Sequence, residues 1–133
     1  MAKILIVDDD MPSRVLAQRI LSAAGFTVAL ARDGLEAIEK IWEVRPDLVL
    51  MDVMMPHRDG IETLRQLRHI PELRNTRVIM LTAVADRAKV QEILNLGVTD
   101  YLTKPFPAEV LVSRVKAILT APVKSFELPA QVG

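Results

Sequence analysis

The chain lacks cysteine altogether, has few aromatic residues and carries no excess of either charge. Without cysteine, disulfides and thiolate metal sites are excluded, which fits a reducing cytosol. Aromatic residues make up 4% of the chain against 50% hydrophobic residues in total, so a core must be mostly aliphatic. Lys and Arg together number 17, as do Asp and Glu. This zero balance predicts no direct contact with nucleic acid.

Long hydrophobic runs are also missing. No apolar run approaches the roughly 18–20 residues of a membrane span, and the amino-terminal run is too short for a signal peptide. We therefore expect a soluble, cytoplasmic protein with no membrane contact. The 133 residues fit one domain. We place that domain at residues 1–120, because residues 121–133 hold two prolines and no clear period, which indicates a C-terminal tail or a truncated linker.

Short apolar runs alternate with longer segments of helical period, which is the pattern of an α/β protein with a parallel sheet. Runs such as Ile4–Val7 are continuous, as expected for strands covered on both faces. Right-handed crossovers then predict a (βα)5 doubly wound five-stranded parallel sheet of order 2-1-3-4-5, a flavodoxin-like three-layer sandwich. The predicted strands are 3–7, 27–31, 48–52, 77–82 and 100–103.

Five helices are predicted between and after these strands. They begin near Pro12, after Asp33, after Asp59, near Asp86 and at Pro107. Four of them carry apolar stripes typical of core-facing helices, which in the third are Ile61, Leu64 and Leu67 and in the fifth Leu111, Val115, Ile118 and Leu119. The stripe of the second helix is Leu35, Ile38, Ile41 and Trp42, and that of the fourth is Val90, Ile93 and Leu94.

Polar side chains follow three of the predicted strands at the point where each strand ends. Asp8 and Asp9 follow the first strand, Asp52 ends the third, and Lys104 follows the fifth. The carboxyl ends of parallel strands share one sheet edge, and the predicted order reverses between strands 1 and 3, where ligands bind in such sheets. Three carboxylates and one ammonium there predict a site for a divalent cation such as Mg²⁺ and a phosphoryl group.

Each of these residues also has a plainer interpretation. The run Asp8–Asp10 is either part of the site or a solvated turn in which Asp10 caps the first helix. Lys104 either contacts phosphate or is a surface lysine, and Thr82 either bonds a phosphoryl oxygen or caps its strand. Tyr101 is either core or a side chain that moves with the site. His57 and His69 lack partners at metal-ligand spacing and are expected in loops or on the surface.

Five motifs together closely resemble the receiver domain of response regulators in two-component signalling, over about residues 2–120. They are Ile4–Asp10, Leu48–Pro56, Asp59-Gly60, Thr82-Ala83 and Lys104-Pro105-Phe106. The resemblance implies that Asp52 accepts the phosphoryl group. It also implies that Mg²⁺, or Mn²⁺ in its place, is held by Asp8, Asp9, Asp52 and the backbone carbonyl of Met54.

The resemblance further implies a switch rather than an enzyme acting on external substrates. Thr82 and Lys104 would sense the phosphoryl group, Tyr101 stands at the aromatic switch position, and the Lys104–Pro105 peptide bond would be cis. The partners implied are a sensor histidine kinase or phosphotransfer protein, and a downstream protein or missing output domain. The signal would leave through the surface of the fourth helix, fifth strand and fifth helix, in a monomer or a phosphorylation-dependent dimer.

Two further expectations concern residues around the site. Met54 and Val84 stand at positions that influence the lifetime of the phosphoryl group in this family, and both are apolar, which predicts slow self-dephosphorylation. Lys89, Asp100 and Arg114 on the signalling surface are either partners in intermolecular salt bridges or solvated charges.

Two other functions fit parts of the pattern. A Mg²⁺-dependent phosphatase with an aspartyl nucleophile needs Asp-x-Asp directly after a strand, and Asp8–Asp10 contains that spacing, but the cap domain and a further acidic motif are missing. A flavodoxin-like cofactor binder would need a hydroxyl-rich phosphate loop and aromatic residues against the flavin, which the chain also lacks.

Overall fold

The computed structural model describes residues 2–53, 55, 59–83 and 87–121. Strands and helices alternate along this part of the chain, as the sequence predicted. The elements are β1 (Lys3–Val7), α1 (Met11–Ala23), β2 (Thr27–Ala31), α2 (Gly34–Val44), β3 (Leu48–Asp52), α3 (Gly60–His69), β4 (Val78–Thr82), α4 (Arg87–Asn95), β5 (Asp100–Thr103) and α5 (Ala108–Thr120).

The five strands form one parallel sheet in the order β2-β1-β3-β4-β5, so the predicted fold class and strand order are confirmed. Val7 at the end of β1 pairs with Met51 of β3, and Asp52 pairs with Leu81 of β4. β4 begins one residue later than predicted, because Arg77 contributes only its carbonyl, which accepts from the amide of Val49.

The core lies on both faces of the sheet, which explains the continuous apolar strands. Alternate residues of β1 point to opposite sides: Leu5 and Val7 pack with α2, α3 and α4, whereas Ile4 and Ile6 pack with α1 and α5. All four side chains are buried. The helices therefore cover the faces and leave the carboxyl edge of the sheet for the loops.

Aspartates start three of the helices. The side chains of Asp10, Asp33 and Asp59 each accept from the backbone amide three residues ahead, at 3.1, 2.8 and 2.8 Å. A cap of this kind typically stabilises a helix by about 1 kcal/mol. The expected starts after Asp33 and Asp59 are confirmed. Among the described residues, none of the helices has the length and hydropathy needed to cross a lipid bilayer.

Two of the predicted apolar stripes are only partly correct. In α2, Leu35 is 53% and Trp42 is 40% exposed. Ile41 of the predicted stripe is buried and Ile38 packs against the core, so this part of the stripe is confirmed. The small residues Gly34 and Ala37 are buried beside them and let the helix pack closely on the sheet. In α4, Ile93 is buried but its neighbour Leu94 is 48% exposed.

Gly60 begins α3 against the backbone of β3. Its amide donates to the carbonyl of Val53 at 2.9 Å. A Cβ atom at this position would overlap the carbonyl oxygen of Asp52 and would lie 2.9 Å from Cε of Met80. Only glycine permits this approach, which brings the first turn of α3 against the end of β3.

Replacing Gly60 by alanine should therefore lower the free energy of unfolding by about 1–3 kcal/mol, the usual cost of overpacking. Denaturant titration measures this change. Gly25→Ala is the control: nothing lies within 4 Å of its added Cβ, but its φ of +98° makes alanine strained. Both variants should lose stability, but only Gly60→Ala should also perturb Mg²⁺ binding beside Asp52. Unchanged stability of Gly60→Ala would contradict the packing argument.

Candidate functional site

Three carboxylates meet at the carboxyl edge of the sheet, where the strand order reverses between β1 and β3. Asp8 directly follows β1 and is 2% exposed, and Asp52 ends β3 and is 8% exposed. Asp9 is exposed beside them. One oxygen from each of the three carboxylates lies within 4.8 Å of the others. The structure thus brings together the three aspartates that the sequence predicted to meet.

Lys104 neutralises part of this negative charge. Its Nζ donates to Oδ2 of Asp52 at 2.9 Å and to Oδ2 of Asp8 at 3.1 Å. A third contact, 3.4 Å long, reaches Oγ of Ser13 in α1. The backbone amide of Lys104 donates to the carbonyl of Thr82 at 2.9 Å, and the Lys104–Pro105 peptide bond is cis. The lysine therefore joins the ends of β1, β3 and β4.

The environment of Lys104 keeps it charged. Burial lowers the pKa of the ammonium, but the hydrogen bonds and the attraction to Asp52 and Asp8 outweigh burial, so the pKa lies above its ordinary value. The lysine is thus a full cation at neutral pH. One ammonium against three carboxylates still leaves the cluster net negative, a charge that favours a bound cation.

Further contacts hold Asp8 in place. Its backbone amide donates to the carbonyl of Ala31 at 3.1 Å, and its Oδ1 accepts from the amide of Asp10 at 3.0 Å. Its carbonyl accepts from Nη1 of Arg14 at 2.8 Å. Arg14 and Ser13 were not among the site residues predicted from the sequence. Their place in the first turn of the helix after the aspartates was the available signal, because helical side chains lean back toward the preceding segment.

Asp10 lies apart from this cluster. Its side chain accepts from the amide of Ser13 at 3.1 Å and caps α1, so the plainer interpretation of this residue as a helix cap is correct. The three adjacent acids therefore have different roles. Asp8 and Asp9 belong to the carboxylate cluster, whereas Asp10 caps α1.

Thr82 and Tyr101 lie at different depths. Thr82 ends β4 and is fully buried. It pairs in register with Thr103, the last residue of β5, directly before Lys104. Tyr101 is 38% exposed on β5, so it is not a core residue. A backbone path from Lys104 through Thr82 and Thr103 therefore connects the crevice to β5.

The remaining predicted residues fall elsewhere. Met54, His57 and Val84 lie outside the described residues. His69 is exposed and its Nδ1 contacts the carbonyl of Arg65 at 2.8 Å, as expected for a surface residue. On the proposed signalling surface Lys89 is exposed. Asp100 and Arg114 pair with each other within the chain at 2.6 Å.

A groove of about 420 Å³ opens beside the crevice, between α1 and the segment after β5. Asp8, Ser13 and Lys104 line its polar end. The rest of its lining is mostly apolar and comprises Leu16, Ala17, Ile20, Leu81, Ala83, Pro105 and Phe106. A group that enters the crevice from this side therefore meets charged atoms at one end and apolar surface along its flank.

The donor set fits Mg²⁺. Carboxylate oxygens are the ligands this ion prefers, and one or two of them with water and phosphate oxygens usually complete its octahedral shell. Asp8, Asp9 and Asp52 would hold the ion, which would supply positive charge where phosphate oxygens gather.

Comparison with known proteins agrees with this geometry. A family model described as the response regulator receiver domain matches residues 4–116. Response regulator MprA of Mycobacterium sp. strain KMS is 42% identical over 130 residues, which cover 96% of this chain and 56% of that protein. MprA of Mycobacterium ulcerans is 44% identical over 117 residues, covering 88% and 50%. The chain thus spans about half the length of these curated relatives.

Solved structures show the same fold. The receiver domain of a signal transduction histidine kinase from Syntrophus aciditrophicus has a TM-score of 0.86 and 34% identity, covering 99% of this chain and 100% of that one. Chemotaxis protein CheY4 of Vibrio cholerae has a TM-score of 0.83 and 36% identity, covering 89% and 98%. Fold and site define a doubly wound α/β domain with an acidic crevice at its switch point. The chain belongs to the response-regulator receiver domain family.

Mg²⁺ should raise the stability of this chain, because a ligand that binds only the folded state stabilises it by mass action. At 100 times its Kd the gain is about 2.7 kcal/mol, measurable as a rise in Tm over an EDTA reference. Asp9→Asn should abolish most of the rise. Asp10→Asn is the control, since asparagine still caps α1 and this residue is outside the cluster. An equal Mg²⁺ response in both variants would contradict the site.

Proposed function

We propose that this chain is a phospho-accepting switch in which Asp52 takes a phosphoryl group from a phosphohistidine on a partner protein. A carboxylate oxygen of Asp52 attacks phosphorus, the new O–P bond replaces the N–P bond, and the partner's imidazole nitrogen leaves with its electron pair. The partner is a sensor histidine kinase or a phosphotransfer protein. The chain accepts the group and assists its own phosphorylation and dephosphorylation, without turning over an external substrate.

The observation that carries this proposal is the environment of the Asp52 carboxylate. It is the only one of the three acids that ends a strand within the sheet, at the centre between β1 and β4. A lysine ammonium lies 2.9 Å from it, and two further acids are close enough to share a cation with it. Asp52 is nearly buried, and the ammonium of Lys104 is already in place to stabilise negative charge on a phosphoryl group bound to it.

The charges around Asp52 explain why a cation is needed. Three carboxylates and an incoming phosphoryl dianion repel one another, and Lys104 offsets only one negative charge. We infer that Mg²⁺, or Mn²⁺ in its place, would be held by Asp8, Asp9, Asp52 and the backbone carbonyl of Met54, which lies outside the described residues. Lys104 is already aimed at Asp52, so it can pair with the phosphoryl oxygens after transfer with little movement.

The same contacts suggest how the event reaches the surface. When Lys104 pairs with the phosphoryl group, its ion pair with Asp8 weakens. Thr82, whose carbonyl accepts from the Lys104 amide, would then move its hydroxyl toward a phosphoryl oxygen. Tyr101, half-exposed on the adjacent strand, would follow. The result is a two-state change of the surface formed by α4, β5 and α5, biased by a local change of charge.

The partner that reads this surface is either a downstream protein or an output domain. The described relatives are about twice as long as this chain, which agrees with either arrangement. Residues 121–133 would then serve as a tail or as the start of a linker. We expect a monomer that either stays monomeric or dimerises on phosphorylation, in the cytoplasm.

An aspartyl-nucleophile phosphatase fits the structure less well. That mechanism needs both acids of an Asp-x-Asp motif at the reaction centre, and here the second acid, Asp10, caps α1 instead. The two functions also differ in stoichiometry. A phosphatase turns over a phosphomonoester many times, whereas a receiver stops after one group per chain.

A small-molecule phosphoryl donor with Mg²⁺ should add one phosphoryl group to the chain, and Asp52→Ala should prevent it. Intact-mass spectrometry measures both. Asp47→Ala is the matched control, because Asp47 is exposed just before β3, at the opposite end of the strand from Asp52. A mass gain that survives in Asp52→Ala would overturn the assignment. Size measurements on the same samples separate a phosphorylation-dependent dimer from a monomer.

The phosphoryl group should be lost slowly, because Met54 and Val84 offer no carboxamide or carboxylate to orient an attacking water. After removal of the donor, intact mass should show the phosphorylated form persisting well beyond a minute at neutral pH with Mg²⁺. Met54→Gln should shorten this lifetime by supplying such a group. A lifetime of seconds in the unaltered chain would contradict the prediction.

A further inference from the structure

Arg68 is a buried cation far from the acidic crevice. It lies near the end of α3 and is 2% exposed. Its guanidinium donates to four backbone carbonyls, each at 2.8 or 2.9 Å. These belong to Leu96 and Gly97, directly after α4, and to Arg74 and Thr76, in the turn before β4. One side chain therefore ties the end of α4 to the segment that leads into β4.

The carboxyl end of α4 has no positively charged side chain of its own. The last carbonyls of a helix lack partners within the helix and carry partial negative charge. The carbonyls of α4 near its end accept from the amides of Leu96 and Gly97, and no basic residue stands in the last turn of α4. Arg68 of α3 supplies positive charge at the next two carbonyls, those of Leu96 and Gly97. Burial lowers the pKa of Arg68 to about 10, and the side chain is still a cation at neutral pH.

These contacts lie at the sheet edge opposite the crevice. The backbone amide of Thr99 donates to the carbonyl of Val78, and the amide of Val78 donates to the hydroxyl of Thr99. The segment after α4 therefore lies against the first residue of β4. β4 ends at Thr82, beside the crevice, and α4 begins at Arg87, shortly afterwards. The nine residues of α4 span about 13 Å. α4 therefore follows the strand end that lies beside the crevice, and the two residues after its other end are held by Arg68.

We propose that Arg68 is a positioning residue that makes the carboxyl end of α4 a fixed point, so that phosphorylation at Asp52 displaces the amino end of the helix about it. The part of this statement that concerns phosphorylation rests on the proposed function. The part that concerns the fixed end does not, because the four carbonyl contacts exist in the unphosphorylated chain.

Spin-label distances test the fixed point directly, and the absence of cysteine makes labelling specific. One label goes on exposed Glu39 of α2 as Glu39→Cys, paired with Lys89→Cys or Asn95→Cys at the two ends of α4. With phosphoryl donor and Mg²⁺, the 39–89 distance should change and the 39–95 distance should not. Equal changes in both distances, or a change only at 95, would overturn the proposal.

Amide exchange tests the role of the arginine without phosphorylation. Arg68→Met removes all four donors, and loss of charged hydrogen bonds should raise exchange at the amides of residues 96–99 by about tenfold or more. Arg68→Lys keeps the charge but not the planar geometry of the guanidinium, so exchange at these amides should increase by an intermediate amount. This variant replaces Arg68→Met in the experiment if Arg68→Met does not fold. Unchanged exchange at 96–99 in a folded variant would overturn the proposal.

Arg77→Met is the matched control. Nη1 of Arg77 donates to the carbonyls of Ile118 and Ala121 at the end of α5, where the last turn again has no basic residue. Its removal should raise exchange near residues 118–121 and leave residues 96–99 unaltered. A rise at 96–99 in this control as well would mean general destabilisation and would contradict a specific role of Arg68.

The outcomes keep the two proposals apart. If no phosphoryl group is added at Asp52, the proposed function fails, and the exchange experiment still decides whether Arg68 holds the end of α4. If the group is added but both label distances change together, the proposed function stands and the fixed point fails.

Discussion

The ion pairs of Lys104 with Asp8 and Asp52 are the interaction on which the site depends. Two nearly buried carboxylates at adjacent strand ends would repel each other in a poorly solvated crevice, and one ammonium within about 3 Å of both makes their approach tolerable. The single ammonium offsets only one of the three carboxylate charges, so the cluster as a whole remains negative. The remaining negative charge favours a divalent cation beside the three carboxylates.

The sheet keeps the acidic site apart from the surface proposed to carry the signal. Its faces are filled with aliphatic side chains, so the strand ends are rigid supports and the chemistry is left to the loops. At the carboxyl edge, backbone contacts join Lys104 to Thr82. At the amino edge, Arg68 donates to the carbonyls of Leu96 and Gly97 directly after α4, and Arg77 donates to the carbonyl of Ile118 in the last turn of α5. The acidic crevice and the arginine contacts therefore lie at opposite edges of the sheet.

Much of the fold and the site could be predicted from the chain alone, and the failures share a cause. Continuous apolar runs identified β1, β3 and β4, because burial on both faces of the sheet leaves no alternation in these central strands. The meeting of Asp8, Asp9 and Asp52 followed from strand order. The exposure of Leu35, Trp42 and Leu94 was missed, because helical periodicity does not say which flank of a stripe touches the sheet. Ser13 and Arg14 were missed because their contacts depend on the angle at which α1 leaves the crevice.

The sequence by itself determined the strands, their parallel order, the caps of α2 and α3 and the acids that end the strands, because these depend on local patterning and on general rules of chain connection. Only the tertiary structure decided that Lys104 contacts both Asp8 and Asp52, that Asp10 turns away to cap α1, and that Arg68 lies among four carbonyls. The reason is physical. A charged side chain takes its partner from what packing places within about 3 Å, and packing brings together residues that lie far apart along the chain.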